Sequence, residues 1–293
     1  MNLIKKKFTL EDYQLFDSED RYVYLVKDQD CNVLLNDFYN LLIKYKKNKE
    51  HLSVIRIADG EFQFLLGKDE INFRKPFFLL LKNLLGELYR NIIGSKFEAR
   101  SRTYTSGRYD NSDFYDAKIK YKDCLSYISK NGILAIYTII KPNFYTEQYI
   151  PKLLSFFDEN NINIDEKNYF PFYFVYIVLT NKRFQDIYNG ANVHLITSYN
   201  EIRKTKIESS LFLKGVESVS WTKISRDKSL FDKIDVSNID KNVDIIFIGA
   251  GVGKVNIFNQ LKNYPCLILD AGYIFEIWQD PDLRLERDYC EKH

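Results

Sequence analysis

The sequence predicts an α/β protein with a mostly parallel sheet, because strand and helix patterns alternate along the chain. Short apolar runs typical of buried strands alternate with segments whose apolar residues recur at helical spacing, as in repeated βα units. The alternation is clearest between residues 193 and 270. The chain also contains no internal repeat, low-complexity stretch or obvious linker. One domain covering residues 1–293 is therefore the simplest organisation, with a helical N-terminal part over residues 1–50.

In the first half of the chain, periodicity predicts the type of each element except for one apolar run. Apolar residues from Val33 to Tyr45 recur at helical spacing and predict a helix over 32–47, with Asn32 or Asp30 as its cap. The run 169–180 (YFPFYFVYIVLT) is apolar throughout, so it fits either a strand or a buried helix. The other predicted elements here are strands at 53–58 and 133–140 and helices at 76–93, 112–131 and 146–159.

The second half of the chain alternates more regularly. A strand ends directly before the glycine-rich segment Gly249–Gly253, and a helix follows that segment. The last predicted strand ends at Asp270-Ala271-Gly272. The predicted strands lie at 193–197, 216–221, 243–248 and 266–269, and the predicted helices at 200–213, 228–234 and 254–262.

Composition limits the classes of function that the chain fits. The 42 basic and 40 acidic residues give a net charge of +2, so no general attraction to nucleic acid or to an anionic membrane is expected. The four cysteines form no C-x-x-C pair and no Cys/His cluster with zinc spacing. We therefore expect reduced thiols in a reducing compartment.

Neither the N-terminal segment nor the longest apolar run predicts a membrane-spanning protein. The N-terminal segment has a short basic stretch without an apolar core after it, so no signal peptide is expected. The longest apolar run, 169–179, has about half of the roughly 20 residues that a membrane span needs. These observations predict a cytoplasmic protein that at most touches a membrane surface.

The first motif that can carry chemistry is Asp59-Gly60-Glu61, directly after a predicted strand. Ligands of open parallel sheets bind outside the carboxyl ends of the strands. Gly60 lets the backbone turn, so the two carboxylates can face one cation. Their hard oxygen atoms suit Mg²⁺ or Mn²⁺, which commonly bridge to substrate phosphates. The alternative is an ordinary polar turn.

The second motif is the glycine-rich loop between a predicted strand and a predicted helix. Backbone N–H groups at Gly249, Gly251 and Gly253, together with the helix that begins at Lys254, can hold a phosphate or another anion. The loop lacks the P-loop pattern, and it lies in the last βαβ unit rather than at the first strand, where dinucleotide-binding loops normally lie. A tight turn that lets the helix pack closely is the alternative.

Two further segments complete the candidate site. Asp270 lies at a strand end, beside the glycine loop if the last two strands are neighbours, and can act as a base, a ligand or a helix cap. Arg102 belongs to an arginine-rich loop over 100–108, which suits phosphate contacts or is simply solvated. His194 falls in a predicted strand and fits a core or edge position better than a catalytic one.

Taken together, segments in the same order resemble one family, the GT-D-type glycosyltransferases, which were first described as domain of unknown function DUF1792. The resemblance spans roughly residues 50–280. The matched segments are VIRIADGEF at 54–62, similar to R-x-G-D-G-E; IFIGAG at 246–251 followed by Lys254; LDAGY at 269–273, similar to D-x-G-H; and ISRDKSLF at 224–231, similar to P-x-x-N-A-F.

The resemblance implies a Rossmann-like sheet flanked by helices, with residues 51–280 as the family-like core. It assigns Asp59 and Glu61 to a D-x-E motif at a metal ion and the nucleotide diphosphate, and it implies a nucleotide-sugar donor, often a UDP-hexose. Arg56 precedes that motif, and Asp270 and Gly272 match the closing motif. Tyr273 stands where the family has His, and Ala58 stands where it has Gly.

These observations predict a hexosyltransferase that uses Mn²⁺ or Mg²⁺ to neutralise the leaving diphosphate. The acceptor is expected to be a glycan, a lipid-linked glycan or a glycoprotein, as in polysaccharide biosynthesis. Asp270 or Glu61 is expected to deprotonate the acceptor hydroxyl. Two alternatives remain open: a methyltransferase that binds S-adenosylmethionine at the glycine loop, and a catalytically silent module that binds a nucleotide or glycan.

Overall fold

The computed structural model describes most of the chain. Three of the sequence predictions lie outside the described residues: the helix at 76–93, the arginine-rich loop with Arg102, and the position of Asp59. The described residues are 3–10, 13–14, 22–58, 61, 64–65, 111–137, 144–225, 229–280 and 290–291.

Eleven strands lie in the described part of the chain. Two pairs are small antiparallel ribbons, and the other seven strands belong to one sheet. In chain order they are β1 Ile4–Lys7, β2 Tyr13–Gln14, β3 Tyr22–Leu25, β4 Leu52–Ile57, β5 Ile133–Ile136, β6 Tyr169–Pro171, β7 Asn192–Thr197, β8 Ser218–Lys223, β9 Ile245–Gly249, β10 Leu267–Asp270 and β11 Cys290–Glu291.

Helices connect these strands, as the alternating pattern predicts. Short 3-10 segments lie between them at Lys182–Ile187, Val236–Asn238 and Gly251–Gly253. Within the described ranges the α-helices are α1 Cys31–Asn48, α2 Asn111–Asn131, α3 Phe144–Glu159, α4 Phe172–Thr180, α5 Glu201–Leu213, α6 Lys254–Leu261 and α7 Ile274–Gln279.

The seven-stranded sheet in the described residues has the order β6-β5-β4-β10-β9-β7-β8, and every neighbouring pair is parallel. The predicted α/β class with a mostly parallel sheet is therefore confirmed. All four residues of β5 (ILAI) are buried, which explains its continuous apolar character, because strands of a parallel sheet are covered on both faces.

Helices cover both faces of the sheet, and successive strand residues divide between two cores. On β9, Ile245 and Phe247 belong to one core, and Ile246 and Ile248 belong to the other. This division follows from the period of two residues in a strand. Helices α1, α4, α5 and α7 contribute to the first core, and α2, α3 and α6 contribute to the second.

Helix α1 confirms the predicted helix over 32–47 and shows how its ends are fixed. The Asp30 carboxylate accepts hydrogen bonds from the backbone N–H groups of Asn32 (2.8 Å) and Val33 (3.1 Å), so Asp30 is the N-cap rather than Asn32. The helix ends at Asn48, and the next residue, Lys49, has a left-handed φ of 52° that stops helical hydrogen bonding.

The undecided run 169–180 is both a strand and a helix. Residues Tyr169–Pro171 form the edge strand β6, and α4 begins at Phe172. Pro171 is tolerated at a sheet edge and cannot donate to a further strand. Eight of the nine residues of α4 are buried, and a helix buried all round shows no polar face in its sequence.

Two element predictions are wrong in detail. The predicted helix at 228–234 is a turn followed by irregular chain over the described residues 229–234. A side chain of α6 bonds to the carbonyl groups that would accept hydrogen bonds within such a helix. The Asn256 amide donates to the carbonyl oxygens of Ser229 (3.0 Å) and Asp232 (2.7 Å). The predicted strand at 216–221 lies two residues later, because the turn that closes α5 continues through Gly215, which has a φ of 92°.

No helix within the described ranges is long and apolar enough to cross a membrane. The longest apolar run of the sequence, 169–179, is divided between β6 and α4.

His194 on β7 is buried, which gives a prediction about pH. Burial lowers the pKa of His194 from 6.5 to about 4, and the ring nitrogens lie 2.7 Å from Ser220 Oγ and 2.9 Å from Thr222 Oγ1. The unfolded chain therefore binds more protons than the folded one between these two pKa values. We expect a loss of up to about 3 kcal/mol of unfolding free energy as the pH falls from 6.5 to 4.

Urea denaturation at several pH values tests this expectation. The His194→Gln variant is the control, because its amide keeps hydrogen-bonding capacity but does not titrate. The variant should lose less stability than the natural chain over that pH range. Parallel stability curves for the two proteins would show that protonation of His194 does not limit acid stability.

Candidate active site

The strand order places several polar strand ends at one edge of the sheet. The chain leaves β4 toward β5 on one side and leaves β7 toward β8 on the other, while β10 and β9 fill the space between them. The direction of winding therefore reverses between β4 and β7. Open α/β sheets bind ligands at such a switch point, outside the carboxyl ends of the strands. Arg56, Asp270, Gly249 and Thr197 all lie at or near these carboxyl ends.

Four charged residues meet at this edge, and we call them the Lys254 cluster: Arg56, Glu61, Lys254 and Asp270. The Lys254 ammonium lies 2.8 Å from Glu61 Oε1 and 2.7 Å from Asp270 Oδ2, and it also donates to the carbonyl oxygen of Arg56. Asp270 Oδ2 accepts a hydrogen bond from the Arg56 backbone N–H (3.2 Å), and Asp270 Oδ1 lies 3.6 Å from Arg56 Nη2.

The cluster is buried and balanced in charge. Each of its four residues has at most 7% of its surface exposed, and two cations face two carboxylates. Buried charges need partners of this kind, because an unpaired one loses its hydration without compensation. Burial opposes the charge of the Lys254 ammonium, but the nearby charges of Asp270 and Glu61 outweigh it, so the pKa of Lys254 is raised above its ordinary value.

Local structure explains how each member reaches the cluster. Arg56 and Asp270 lie on β4 and β10, which are neighbouring parallel strands. Lys254 is the first residue of α6, directly after the glycine loop. Glu61 follows β4, and its Oε2 accepts a hydrogen bond from the backbone N–H of Ala58 at 2.9 Å. This bond turns the Glu61 side chain back toward the strand end.

The Arg56 guanidinium is fixed from several sides. It lies over the ring of Phe172 at 4.9 Å, which is a favourable cation–π arrangement. Gly272 has a φ of 44°, and a side-chain Cβ at that position would lie 2.1 Å from Arg56 Nη2. The backbone conformation therefore favours glycine there, and a larger residue would also force the Arg56 guanidinium to shift.

Two buried polar atoms at this edge have no hydrogen-bond partner within the described part of the chain: Arg56 Nε and Thr197 Oγ1. Unpaired buried polar groups are rare in folded proteins, and one explanation is a ligand that supplies the partner. Gly251 adds an open position, because its φ is 54° and a Cβ there would meet nothing within 4 Å. A ligand can thus approach the backbone of the loop closely.

The other loop glycines have packing roles. A Cβ at Gly249 would lie 2.7 Å from the Phe275 ring, and a Cβ at Gly253 would lie 2.1 Å from Ser229 Oγ. The tight-turn interpretation therefore holds for these two positions, and Gly251 is the loop glycine whose surroundings are open to a ligand.

The structure brings five of the sequence-predicted site residues together, namely Arg56, Glu61, Lys254, Asp270 and Gly272. The loop glycines lie next to them, whereas Asp59 and Arg102 lie outside the described residues. The sequence interpretation missed Phe172 and Thr197. The only sequence signal for Phe172 was its place after Pro171 at the end of an apolar run, and Thr197 was recognised only as the last residue of a strand.

The described residues do not fit a divalent cation at Glu61 as they are arranged. Both Glu61 oxygens are engaged, one by the Ala58 N–H and one by the Lys254 ammonium. The space between the Glu61 and Asp270 carboxylates holds the Lys254 Nζ atom. No group of three His, Cys, Asp or Glu residues suited to a metal ion occurs within the described ranges.

Comparison with known proteins gives structural likenesses only. No protein-family model matches the chain, and no curated protein sequence matches it. A selenomethionine-substituted structure of domain of unknown function 1792 (DUF1792) is 12% identical to this chain with a TM-score of 0.49, and the match covers 90% of this chain and 89% of that one.

Two more solved structures are similar to this chain. One is described as a new glycosyltransferase (DUF1792) from Streptococcus sanguinis, at 13% identity and a TM-score of 0.45, covering 85% of this chain and 84% of that one. The other is described as DUF1792 with a distinct glycosyltransferase fold, at 12% identity and a TM-score of 0.46, covering 90% and 89%.

Proposed function

We propose that this protein is a glycosyltransferase that moves a sugar from a nucleotide-sugar donor, with the donor diphosphate bound at the carboxyl ends of β4, β9 and β10. The observation that carries the proposal is the buried Arg56 guanidinium, whose Nε has no hydrogen-bond partner in the described part of the chain. A guanidinium is the side chain best suited to oxygen atoms of phosphates. The D-x-E and D-x-G motifs of the sequence support the same function.

The reaction breaks the bond between the sugar C1 and the donor phosphate oxygen and forms a bond between C1 and an acceptor hydroxyl oxygen. The bonding electrons leave with the nucleoside diphosphate, and the acceptor proton passes to a base. We propose that Arg56 Nε and the backbone around Gly251 hold the charge that develops on the diphosphate. Stabilising that charge in a buried, preorganised site lowers the barrier to departure.

The contacts of the two candidate bases support a different role from the one that the sequence predicts. Asp270 has both carboxylate oxygens near cations, and Glu61 has one oxygen on a backbone N–H and one on Lys254. We propose that both are positioning residues, which hold Arg56 and Lys254 in place. A UDP-hexose is the proposed donor, and a glycan, a lipid-linked glycan or a glycoprotein is the proposed acceptor.

A donor screen tests the proposed function. UDP-, GDP-, CMP- and dTDP-sugars, each with Mn²⁺, Mg²⁺ or EDTA, are compared by thermal shift and by slow donor hydrolysis. We expect one nucleotide family, with UDP first, to raise the melting temperature and to be hydrolysed. A shift with S-adenosylmethionine and none with any nucleotide-sugar would favour a methyltransferase, and donor binding without turnover would favour a silent binding module.

The Arg56→Lys variant locates the bound donor. Lysine keeps the positive charge but lacks the guanidinium Nε, so we expect donor affinity to fall by at least about tenfold. The matched control is Arg183→Lys, because Arg183 is exposed in the 3-10 segment Lys182–Ile187, beyond the C-terminal end of α4. Equal donor affinity in the Arg56 variant and in the natural chain would place the donor elsewhere.

A further inference from the structure

We propose that the Lys254 ammonium takes the place of a divalent cation in this protein, so that donor binding does not depend on a metal ion held by Glu61. The part that concerns metal binding stands on the cluster geometry alone. The part that concerns the donor rests on the proposed function.

The first support is the position of the ammonium. Lys254 Nζ lies between two carboxylates, 2.8 Å from Glu61 Oε1 and 2.7 Å from Asp270 Oδ2, and the Arg56 carbonyl is its third acceptor. An ammonium has three N–H donors, and these three oxygens satisfy all of them. The oxygens of a carboxylate pair and a backbone carbonyl would otherwise form a ligand set of the kind that hard divalent cations prefer.

The second support is electrostatic. A divalent cation bound by Glu61 and Asp270 would lie beside both the Lys254 ammonium and the Arg56 guanidinium in a buried setting. Repulsion between cations is strong where water is excluded. Because the cluster already pairs two positive with two negative groups, a further charge of +2 would leave it unbalanced. The ion would have to displace Lys254 from a position in which every N–H is satisfied.

The third support is the connection of Lys254 to the glycine loop. Lys254 begins α6 directly after Gly253, which packs against Ser229. The same contacts that fix the ammonium therefore fix the start of α6 and the loop that precedes it. A metal ion in such a site would join carboxylates to the donor, whereas here a covalently attached cation joins β4 and β10 to the loop.

The direct test is a titration of the full chain with Mn²⁺ in the absence of nucleotide. Electron paramagnetic resonance measures the concentration of free Mn²⁺ at each point. We expect the natural chain to show no Mn²⁺ site that depends on Glu61. The Lys254→Ala variant should bind Mn²⁺ at least about tenfold more tightly, and Glu61→Gln in that background should remove the gain. The control is Lys262→Ala, because Lys262 is an exposed lysine just after the same helix.

The natural chain alone can overturn the proposal, so the test does not depend on the folding of the Lys254 variant. If the natural chain binds Mn²⁺ and the Glu61→Gln variant binds it at least about tenfold more weakly, the proposal is wrong. If Mn²⁺ binding is equal in these two proteins, Glu61 is not a metal ligand and the proposal stands.

The donor arm uses thermal shift with the nucleotide-sugar in Mn²⁺ and in EDTA. Equal shifts in the two buffers support the inference, and a shift that disappears in EDTA contradicts it. If no nucleotide-sugar gives a shift in either buffer, the proposed function fails, while the Mn²⁺ titration still decides whether Lys254 excludes the metal.

Discussion

The Asp270→Asn variant is expected to lose about 3–5 kcal/mol of unfolding free energy at neutral pH, as buried ion pairs do when one partner is removed. Asp270 lies between Lys254 (2.7 Å) and Arg56 (3.6 Å), and it is 2% exposed. Asparagine keeps the shape of the side chain but removes its negative charge. One carboxylate, that of Glu61, then faces two buried cations.

Urea denaturation monitored by circular dichroism measures this loss. The control is Glu166→Gln, because the ion pair between Lys27 and Glu166 has a separation of 3.5 Å and both side chains are 59% exposed. Exposed pairs contribute less than about 1 kcal/mol, so the control should change little. Similar losses in the two variants would mean that the Lys254 cluster does not hold β4, β10 and α6 together.

The Gly272→Ala variant is expected to lower both stability and donor affinity. A left-handed φ costs a non-glycine residue about 1–2 kcal/mol, and overpacking adds about 1–3 kcal/mol. The added Cβ would lie 2.1 Å from Arg56 Nη2, so the guanidinium has to move away from its place over Phe172. Because Arg56 is the proposed diphosphate ligand, we expect donor binding to weaken in the same variant.

The Gly251→Ala variant separates the two causes. Gly251 also has a left-handed φ, of 54°, but a Cβ there would meet nothing within 4 Å. Its loss of stability should therefore be limited to the backbone cost of about 1–2 kcal/mol. A double-mutant cycle that combines Gly272→Ala with Arg56→Lys adds a second check. Lysine has no Nη2 atom for the new Cβ at position 272 to meet, so the packing cost should be smaller in the double variant. Additive effects in that cycle would show that Gly272 and Arg56 are not coupled.

Much of the fold could be predicted from the sequence, because strands that are buried on both faces of the sheet have recognisable apolar sequences. Strand β9 is apolar along its length, and α1 shows helical spacing with a capping Asp30. The run 169–180 could not be assigned, since an edge strand and a fully buried helix are both continuously apolar. The turn after Ser229 could not be foreseen either, because side chains of α6 hold it in place.

The candidate site was predictable in its members but not in its contacts. Strand ends identified Arg56 and Asp270, and the glycine loop identified Lys254. A lysine after glycines at a helix start suggested a contact with phosphate, yet the ammonium lies inside the protein. Its direction depends on two carboxylates that are distant in sequence and become neighbours only when β4 and β10 pair. Local sequence patterns carry no information of that kind.

The position of β10 in the sheet has a consequence for how the chain folds during its synthesis. Strand β10 lies between β4 and β9 but follows both of them in the chain. While the ribosome has yet to release residues 267–270, β4 and β9 each have an open, apolar edge. Parallel pairings between distant segments form slowly, and unpaired edges promote aggregation. We therefore expect nascent chains that end before β10 to require a chaperone, and the complete chain to refold slowly after dilution from denaturant.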